Sequence, residues 1–214
     1  MIKRMTLLAR REETSTSMFR AYWAGGHAQL ALSLPGVCKY TQNRVDDILW
    51  QDGSGEPFRI DGIVELFFTD ADIMAAAQTS DTGRLLIPED EPNFLKGWTL
   101  CVVETDGPHD HPGVKVLLPV AVTAGMAIGD AAGALRDVSS VAGCTAVAIN
   151  TVLHHARRER LWCEPIPPDL VAVYWFDGKD AAVAAFARGG VLDTTLKGLA
   201  RKASALLCDP LTIL

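Results

Sequence analysis

The sequence lacks most of the devices that announce a function. No window approaches the roughly 18 uninterrupted apolar residues that a membrane-spanning helix requires, and the N-terminal MIKRMTLLARREE is too short and too charged for a secretory leader. A cytoplasmic protein with no membrane partner is therefore expected. The five cysteines, Cys38, Cys101, Cys144, Cys163 and Cys208, are odd in number, widely spaced and without a C-x-x-C pair. That excludes a disulfide framework and a zinc knuckle, and they are expected to be reduced and mostly buried. Clustered positive charge is missing too. The net charge is −6, whereas a phosphate-binding surface groups Lys and Arg, so no nucleic-acid partner is expected. The one basic run, HHARRER at 154–160, reads as a solvated loop. No P-loop, G-x-G-x-x-G after a strand, G-x-S-x-G elbow or H-E-x-x-H is present, which removes the common nucleotide, serine-hydrolase and zinc-protease readings.

Metal ligation is not expected either. His109 and His111 form an H-x-H pair, but in a Pro/Gly-rich linker, and His154 and His155 are adjacent, so on a strand they point to opposite faces. No cofactor is expected.

What the chain does have is enough apolar residue, 49% of 214, to bury a proper core. Strands are predicted at Ile2 to Ala9, Val37 to Val45, Gly62 to Phe68 and Thr99 to Glu104, the second and third separated by the turn-rich QDGSGEP. Helices are predicted at Thr16 to Leu34 and from about Asp70 to Gln78, followed by an irregular, part-helical stretch. After the linker TDGPHDHPG the order restarts, with strands Val114 to Val120, Cys144 to Val152, Val171 to Phe176 and one near Leu211, and helices around Ile128 to Ser140 and from Asp180 onward. IVELFFTDADIMAAA at 63–77 lines up with VAVYWFDGKDAAVAA at 171–185, and GVCKYTQNRV at 36–45 with GCTAVAINTV at 143–152, which sets Asn43 opposite Asn150. Two βαββαβ units, residues 1–106 and 107–214, are thus predicted. Each is a ferredoxin-like repeat with both helices on one face of its sheet. The bare faces are expected to cover one another, sheet to sheet, giving an α+β pseudo-dimer of two fused half-barrels.

The first predicted helix, FRAYWAGGHAQLALSLPG, raises a question of its own. Phe19, Trp23, His27, Leu30 and Leu34 fall on one stripe at three- and four-residue spacing, so His27 leans inward. Two consecutive interior glycines, Gly25 and Gly26, cost roughly 0.5 to 1 kcal/mol each relative to alanine. The expected return is either close approach of the helix to a strand or room for a ligand beside the His27 ring. With an unperturbed pKa of about 6.5, His27 is the natural proton shuttle in this helix. Along 37–45, Cys38, Tyr40, Gln42 and Arg44 share one face and Lys39, Thr41 and Asn43 the other; along 62–68, Ile63, Glu65 and Phe67 oppose Val64, Leu66 and Phe68. Either set of faces suits a site. Glu65 interrupts an apolar strand and needs a partner if buried; a rim position or a pairing with Arg44 is the plain alternative.

The N-terminal MIKRMTLLARR, then FRAYWAGGHAQLALSLPGVCKYTQN and DGIVELFF, together resemble the EthD family of the dimeric α/β-barrel superfamily, over residues 1 to about 104. The second half lacks the motif; the position opposite His27 falls near Ala134. The resemblance implies a fused dimeric α/β barrel with a pocket between helices and sheet. It also implies a link to ether degradation or polyketide tailoring, in a superfamily whose members include cofactor-free monooxygenases, decarboxylases and dehydratases. On that basis the expected function is a cofactor-independent enzyme acting on a small apolar or polyketide-like molecule, of oxidoreductase or lyase type. His27 would be the acid/base, with Tyr22, Trp23 and Tyr40 lining the pocket and Gln42, Asn43 or Glu65 fixing its polarity. The alternative is a non-catalytic ligand-binding or accessory protein. A further homodimer of the fused chain is compatible with either.

Overall fold

The computed structural model describes residues 1–52 and 56–214, so the centre of the turn expected at QDGSGEP lies outside the described residues. Eight antiparallel strands close into one barrel in the order β1-β3-β2-β8-β5-β7-β6-β4. They are β1 (Ile2–Arg10), β2 (Val37–Gln51), β3 (Gly62–Phe68), β4 (Leu95–Asp106), β5 (Val114–Val122), β6 (Ala146–Arg157), β7 (Leu170–Phe176) and β8 (Ala200–Thr212). The helices are α1 (Thr16–Tyr22), α2 (Ala28–Leu32), α3 (Ala71–Thr79), α4 (Ile87–Asp90), α5 (Ile128–Val141), α6 (Lys179–Ala185) and α7 (Val191–Leu199).

The apolar runs that marked β3 and β7 are explained by burial on both sides: every residue of both strands is buried. Ile63 and Phe67, like Val171, Val173 and Trp175, fill the barrel interior, while Val64, Leu66 and Phe68 pack under the first-half helices and Ala172, Tyr174 and Phe176 under α5, α6 and α7. The strict alternation of a strand produces three apolar layers from these two segments.

Sheet-to-sheet contact of two open sheets is corrected in one respect. The halves are also stitched edge to edge, β2 with β8 and β4 with β6, so the barrel closes and those edges are paired. This is why the outer strands exceed their expected lengths, at 15 residues for β2 and 13 for β8. Asp46, Asp47 and Ile48, added to β2, are exposed and held by backbone pairing, which leaves no hydropathy pattern, whereas β8 buries Ala205, Leu206 and Leu207 in a stretch expected to follow helices. The same extension corrects the reading of HHARRER as a loop: His154, His155, Ala156 and Arg157 belong to β6 and pair with Val102, Cys101, Leu100 and Thr99 of β4. The cysteines are all free; Cys101 and Cys208 are buried, Cys144 and Cys163 partly so, and Cys38 is exposed.

Candidate active site and its arginine-lined approach

The predicted helix Thr16 to Leu34 is broken. Ser15 caps α1 by accepting from the Met18 amide at 3.2 Å, and α1 passes into a π-helical turn over Trp23–His27 before α2 resumes. Gly25 sits at φ −93° and ψ −111°, outside helical geometry, and marks the kink. Both glycines are exposed, and a Cβ on either would meet nothing within 4 Å. Neither expected return therefore applies: they bring no strand close and open no buried space. They let the chain fold the extra residue of a π turn, a feature common beside functional sites. Close approach occurs instead at Gly62, where an added Cβ would lie 2.4 Å from the Trp23 ring.

The turn leaves His27 on the buried side, 7% exposed. Its Nδ1 lies 2.8 Å from Asp90 Oδ2, the Tyr22 hydroxyl donates to Asp90 Oδ1 at 2.6 Å, and Asn93 Nδ2 donates to the Tyr22 oxygen at 3.3 Å. Phe94 packs on the His27 ring at 4.8 Å and on Tyr22 at 5.0 Å. A carboxylate accepts, so in the neutral ring Nδ1 carries the proton and Nε2 keeps a lone pair. Burial lowers the His27 pKa, more than the Asp90 carboxylate raises it, which favours that neutral form near pH 7. Nε2 has no hydrogen-bond partner among the described residues. The ring borders a void of about 20 Å³, shared with Arg4, Thr6, Tyr40, Glu91 and Trp98. That is room for about one water molecule.

Of the expected site residues, Tyr22, Trp23, His27, Tyr40 and Gln42 gather on the helix side of the sheet. Gln42 Nε2 donates to the Trp23 carbonyl at 2.8 Å and to the Tyr40 oxygen at 2.7 Å, so it locks the kinked turn onto β2. Burial pushes the Tyr40 hydroxyl up to about 12, keeping it protonated. Asn43 and Glu65 are on the other side of the sheet, inside the barrel, which corrects their expected place beside His27. Strand alternation sends them there with Ile63 and Phe67. Glu65 pairs neither with the rim nor with Arg44, which bonds Asp209. Its carboxylate bridges Lys3 at 2.6 Å and Lys115 at 2.5 Å and accepts from Asn43 Nδ2 at 2.9 Å. Burial works to raise the Glu65 pKa, but the two ammonium groups hold it well below the usual carboxylate range.

Sequence reasoning missed Asp90, Asn93 and Phe94, which lie in the irregular stretch, and Arg4, Glu91, Trp98 and Arg158. Arg4 had a visible signal, a charged residue on the same β1 face as Thr6 and Leu8. Arg158 had one too, since it belongs to the basic run. Arg158 Nε donates to Glu91 Oε2 at 2.9 Å, and its guanidinium lies 4.6 Å from the Trp98 ring centre. Beyond the small void, a cavity of about 150 Å³ and an outer cleft of about 330 Å³ share these walls.

Residues 11–97 match the family profile of the EthD domain. Over nearly its full length the fold is similar to that of an anthrone oxidase-like protein, with a TM-score of 0.67 at 10% identity, covering 99% of this chain and 92% of that one. It is also similar to a candidate monooxygenase from Lactobacillus acidophilus NCFM (TM-score 0.50, 10% identity, 98% and 93% covered). A candidate chlorite dismutase, TA0507, compares at 0.51 and 9% identity, with 98% and 96% covered. At these identities the likeness is one of fold. No curated protein matches the chain by sequence. Tyr22, Trp23, His27, Asp90, Asn93 and Phe94 therefore all lie within the stretch, residues 11–97, that matches the EthD domain, and the described residues of the chain form an α+β, eight-stranded closed antiparallel barrel.

Proposed function

We propose that this protein is an oxidoreductase-type enzyme that works without a resident cofactor on a small, largely apolar, polyketide-like molecule, with His27 as the acid/base. One observation carries this reading: His27 is held through Nδ1 by Asp90, which leaves Nε2 as a base toward a void whose walls continue into a larger cleft. A base oriented by a carboxylate is the arrangement that proton abstraction requires. Tyr22 and Asn93 hold Asp90 in turn, and Tyr40, still protonated, faces the same void.

The chemistry that suits such a site is removal of an acidified C–H proton by Nε2, after which the electron-rich carbanion reduces dioxygen. Anthrone is the natural first substrate, given the likeness to an anthrone oxidase-like protein. Anthrone and O2 then yield anthraquinone and water, with the substrate supplying all the electrons. Oxygen uptake by the purified protein with anthrone tests this. His27→Ala should lower the rate by about 10² to 10⁴. Asp90→Asn should also lower it, because an amide can donate to Nδ1 and so place the proton on Nε2. Unchanged turnover in His27→Ala would remove His27 from the mechanism.

The binding-only reading has its own support, the tight packing of Phe94 on His27 and a void of about 20 Å³. Saturable binding of anthrone with no oxygen uptake would favour it.

We read the two halves, 1–106 and 107–214, as ferredoxin-like repeats. The strand orders 4-1-3-2 and 8-5-7-6 correspond, and Lys3, Asn43 and Phe67 occupy places matched by Lys115, Asn150 and Trp175. The second repeat carries no counterpart of His27, since α5 buries Ala131, Leu135 and Val138 with no ionisable group among them.

A further inference from the structure

Arg4 is a charged side chain without a visible purpose. It stands on β1 facing the helices, with its guanidinium 5.5 Å from the Phe68 ring centre. Its Nε is fully buried and has no hydrogen-bond partner among the described residues. Burial draws its pKa down to about 10, where it remains a cation at neutral pH. An enclosed donor with no acceptor is rare in a folded protein and calls for a missing group.

The surroundings say what group. Arg4 lines both the void beside His27 and the cavity of about 150 Å³ next to it. Leu34, Ile87, Trp98 and Leu100 give that cavity an apolar wall, and Arg157 and Arg158, delivered by the end of β6, give it a second cationic side. Glu91, the acidic partner of Arg158, borders the neighbouring void and the outer cleft. Three arginines thus line the cavity and one carboxylate stands beside it, so the site keeps a positive excess although the whole chain carries −6. Arg84 and Arg160 line the outer cleft that leads in, where Glu89 and Glu159 stand beside them, so the positive excess belongs to the inner cavity.

We infer that this cavity binds an aromatic carboxylate, its carboxyl group between Arg4 and Arg158 and its ring against Trp98, Ile87 and Leu34. A planar guanidinium presents paired donors that match a carboxylate, and a cavity of about 150 Å³ has room for one benzene-sized ring. A second fused ring extends into the outer cleft. The apolar wall disfavours inorganic phosphate, and the arginines disfavour a neutral ligand of the same shape. The inference deepens the proposed function by adding a carboxylate to the aromatic substrate, so that neutral anthrone stands for the ring system alone, and it relies on that reading only for the chemistry after binding.

Isothermal titration of the full chain with 2-naphthoate, 2-naphthamide and inorganic phosphate provides the test. The expected result is that the acid binds at least tenfold tighter than the isosteric amide and than phosphate. Arg4→Gln and Arg158→Gln should each reduce that preference to threefold or less, and Glu91→Gln, which releases Arg158, should tighten naphthoate binding. Should Arg4→Gln fail to fold, Arg158→Gln decides alone, because that side chain is 27% exposed and is not part of the core. Equal affinity for acid and amide, phosphate binding as tightly as naphthoate, no binding of any probe, or a preference that survives Arg158→Gln would each overturn the inference. His27→Ala keeps all three arginines and should retain the preference for the acid. A protein that binds naphthoate selectively yet consumes no oxygen with either anthrone or a ring-carboxylated anthrone would refute the catalytic reading and leave the carboxylate site standing.

Discussion

Glu91 and His27 border the same small void and respond to pH in opposite directions. Glu91 is 3% exposed, and burial raises its pKa to about 6, although Arg158 and Arg4 work to lower it. A carboxyl whose folded value lies above its unfolded value, near 4.5, stabilises fully below pH 4.5 and loses that contribution as pH rises through 6. A displacement from 4.5 to about 6 corresponds to about 2 kcal/mol. Glu91→Gln should therefore raise stability at pH 7.5 by about that amount and make little difference at pH 4, as followed by thermal melts across that range. A variant less stable than the parent at pH 7.5 would show that the ion pair with Arg158 outweighs burial. His27 has its value lowered below 6.5 by burial. Its contribution is present above pH 6.5 and is lost as pH falls through the lower folded value. At this scale the sequence disclosed His27, because a single histidine fell on an apolar stripe. Asp90 was hidden: it comes two residues after Pro88 in a stretch without periodicity, and what selects it is a tertiary contact 63 residues from His27.

Among the elements, the π turn at Trp23–His27 gives the sharpest contrast between pattern and structure. Hydropathy predicted the right inward face, since Phe19, Trp23, His27 and Leu34 are all buried, yet it is blind to a kink whose glycines point to solvent. The two glycines should respond differently. Gly26 is helical in an open position, so Gly26→Ala should stabilise by about 0.5 to 1 kcal/mol. Gly25 occupies the non-helical position, and Gly25→Ala should bring no such gain, because alanine favours the straight helix that would turn His27 away from Asp90. Chemical denaturation of both variants measures this, and equal stabilisation at both positions would mean that the kink is dispensable. A second π turn, at Thr82–Leu86 and without a non-helical residue, precedes α4. Both halves of the His27–Asp90 contact are thus set by irregular helix, which explains why the strands were more legible than the site. β3 was found at its observed bounds because both its faces are apolar. β2 and β6 were cut short because their far ends, largely exposed, are joined mainly by backbone pairing.

The whole molecule depends on how its halves meet, and the meeting point is a charge cluster inside the barrel. Lys3 of β1 and Lys115 of β5 share one carboxylate, Glu65 of β3. Lys3 also donates to Asn150 Oδ1 at 3.0 Å, so side chains from both halves close the network. The place corresponding to Glu65 in β7 is Val173, so the cluster is asymmetric: two cations, one anion. Removing the carboxylate charge would leave two ammonium groups in a dry interior, and Glu65→Gln should cost about 3 to 5 kcal/mol. Glu65→Gln combined with Lys115→Met should recover part of that loss, as read by urea denaturation. If instead the single variant were as stable as the parent, water must reach the barrel interior. The same geometry predicts the behaviour of the isolated first half. Residues 1–106 would expose the edges of β2 and β4 that β8 and β6 now cover, together with Met5, Leu7, Ile63 and Phe67 of the inner face. Two copies could pair β2 of one with β4 of the other, and each Glu65 would then face a second copy of Lys3, two carboxylates balancing two ammonium groups. The fragment should accordingly form homodimers or aggregate, and light scattering after size exclusion distinguishes these from a monomer. A soluble, folded monomer would mean that the first half covers its own inner face, and the fused barrel would then owe nothing to the need to bury it.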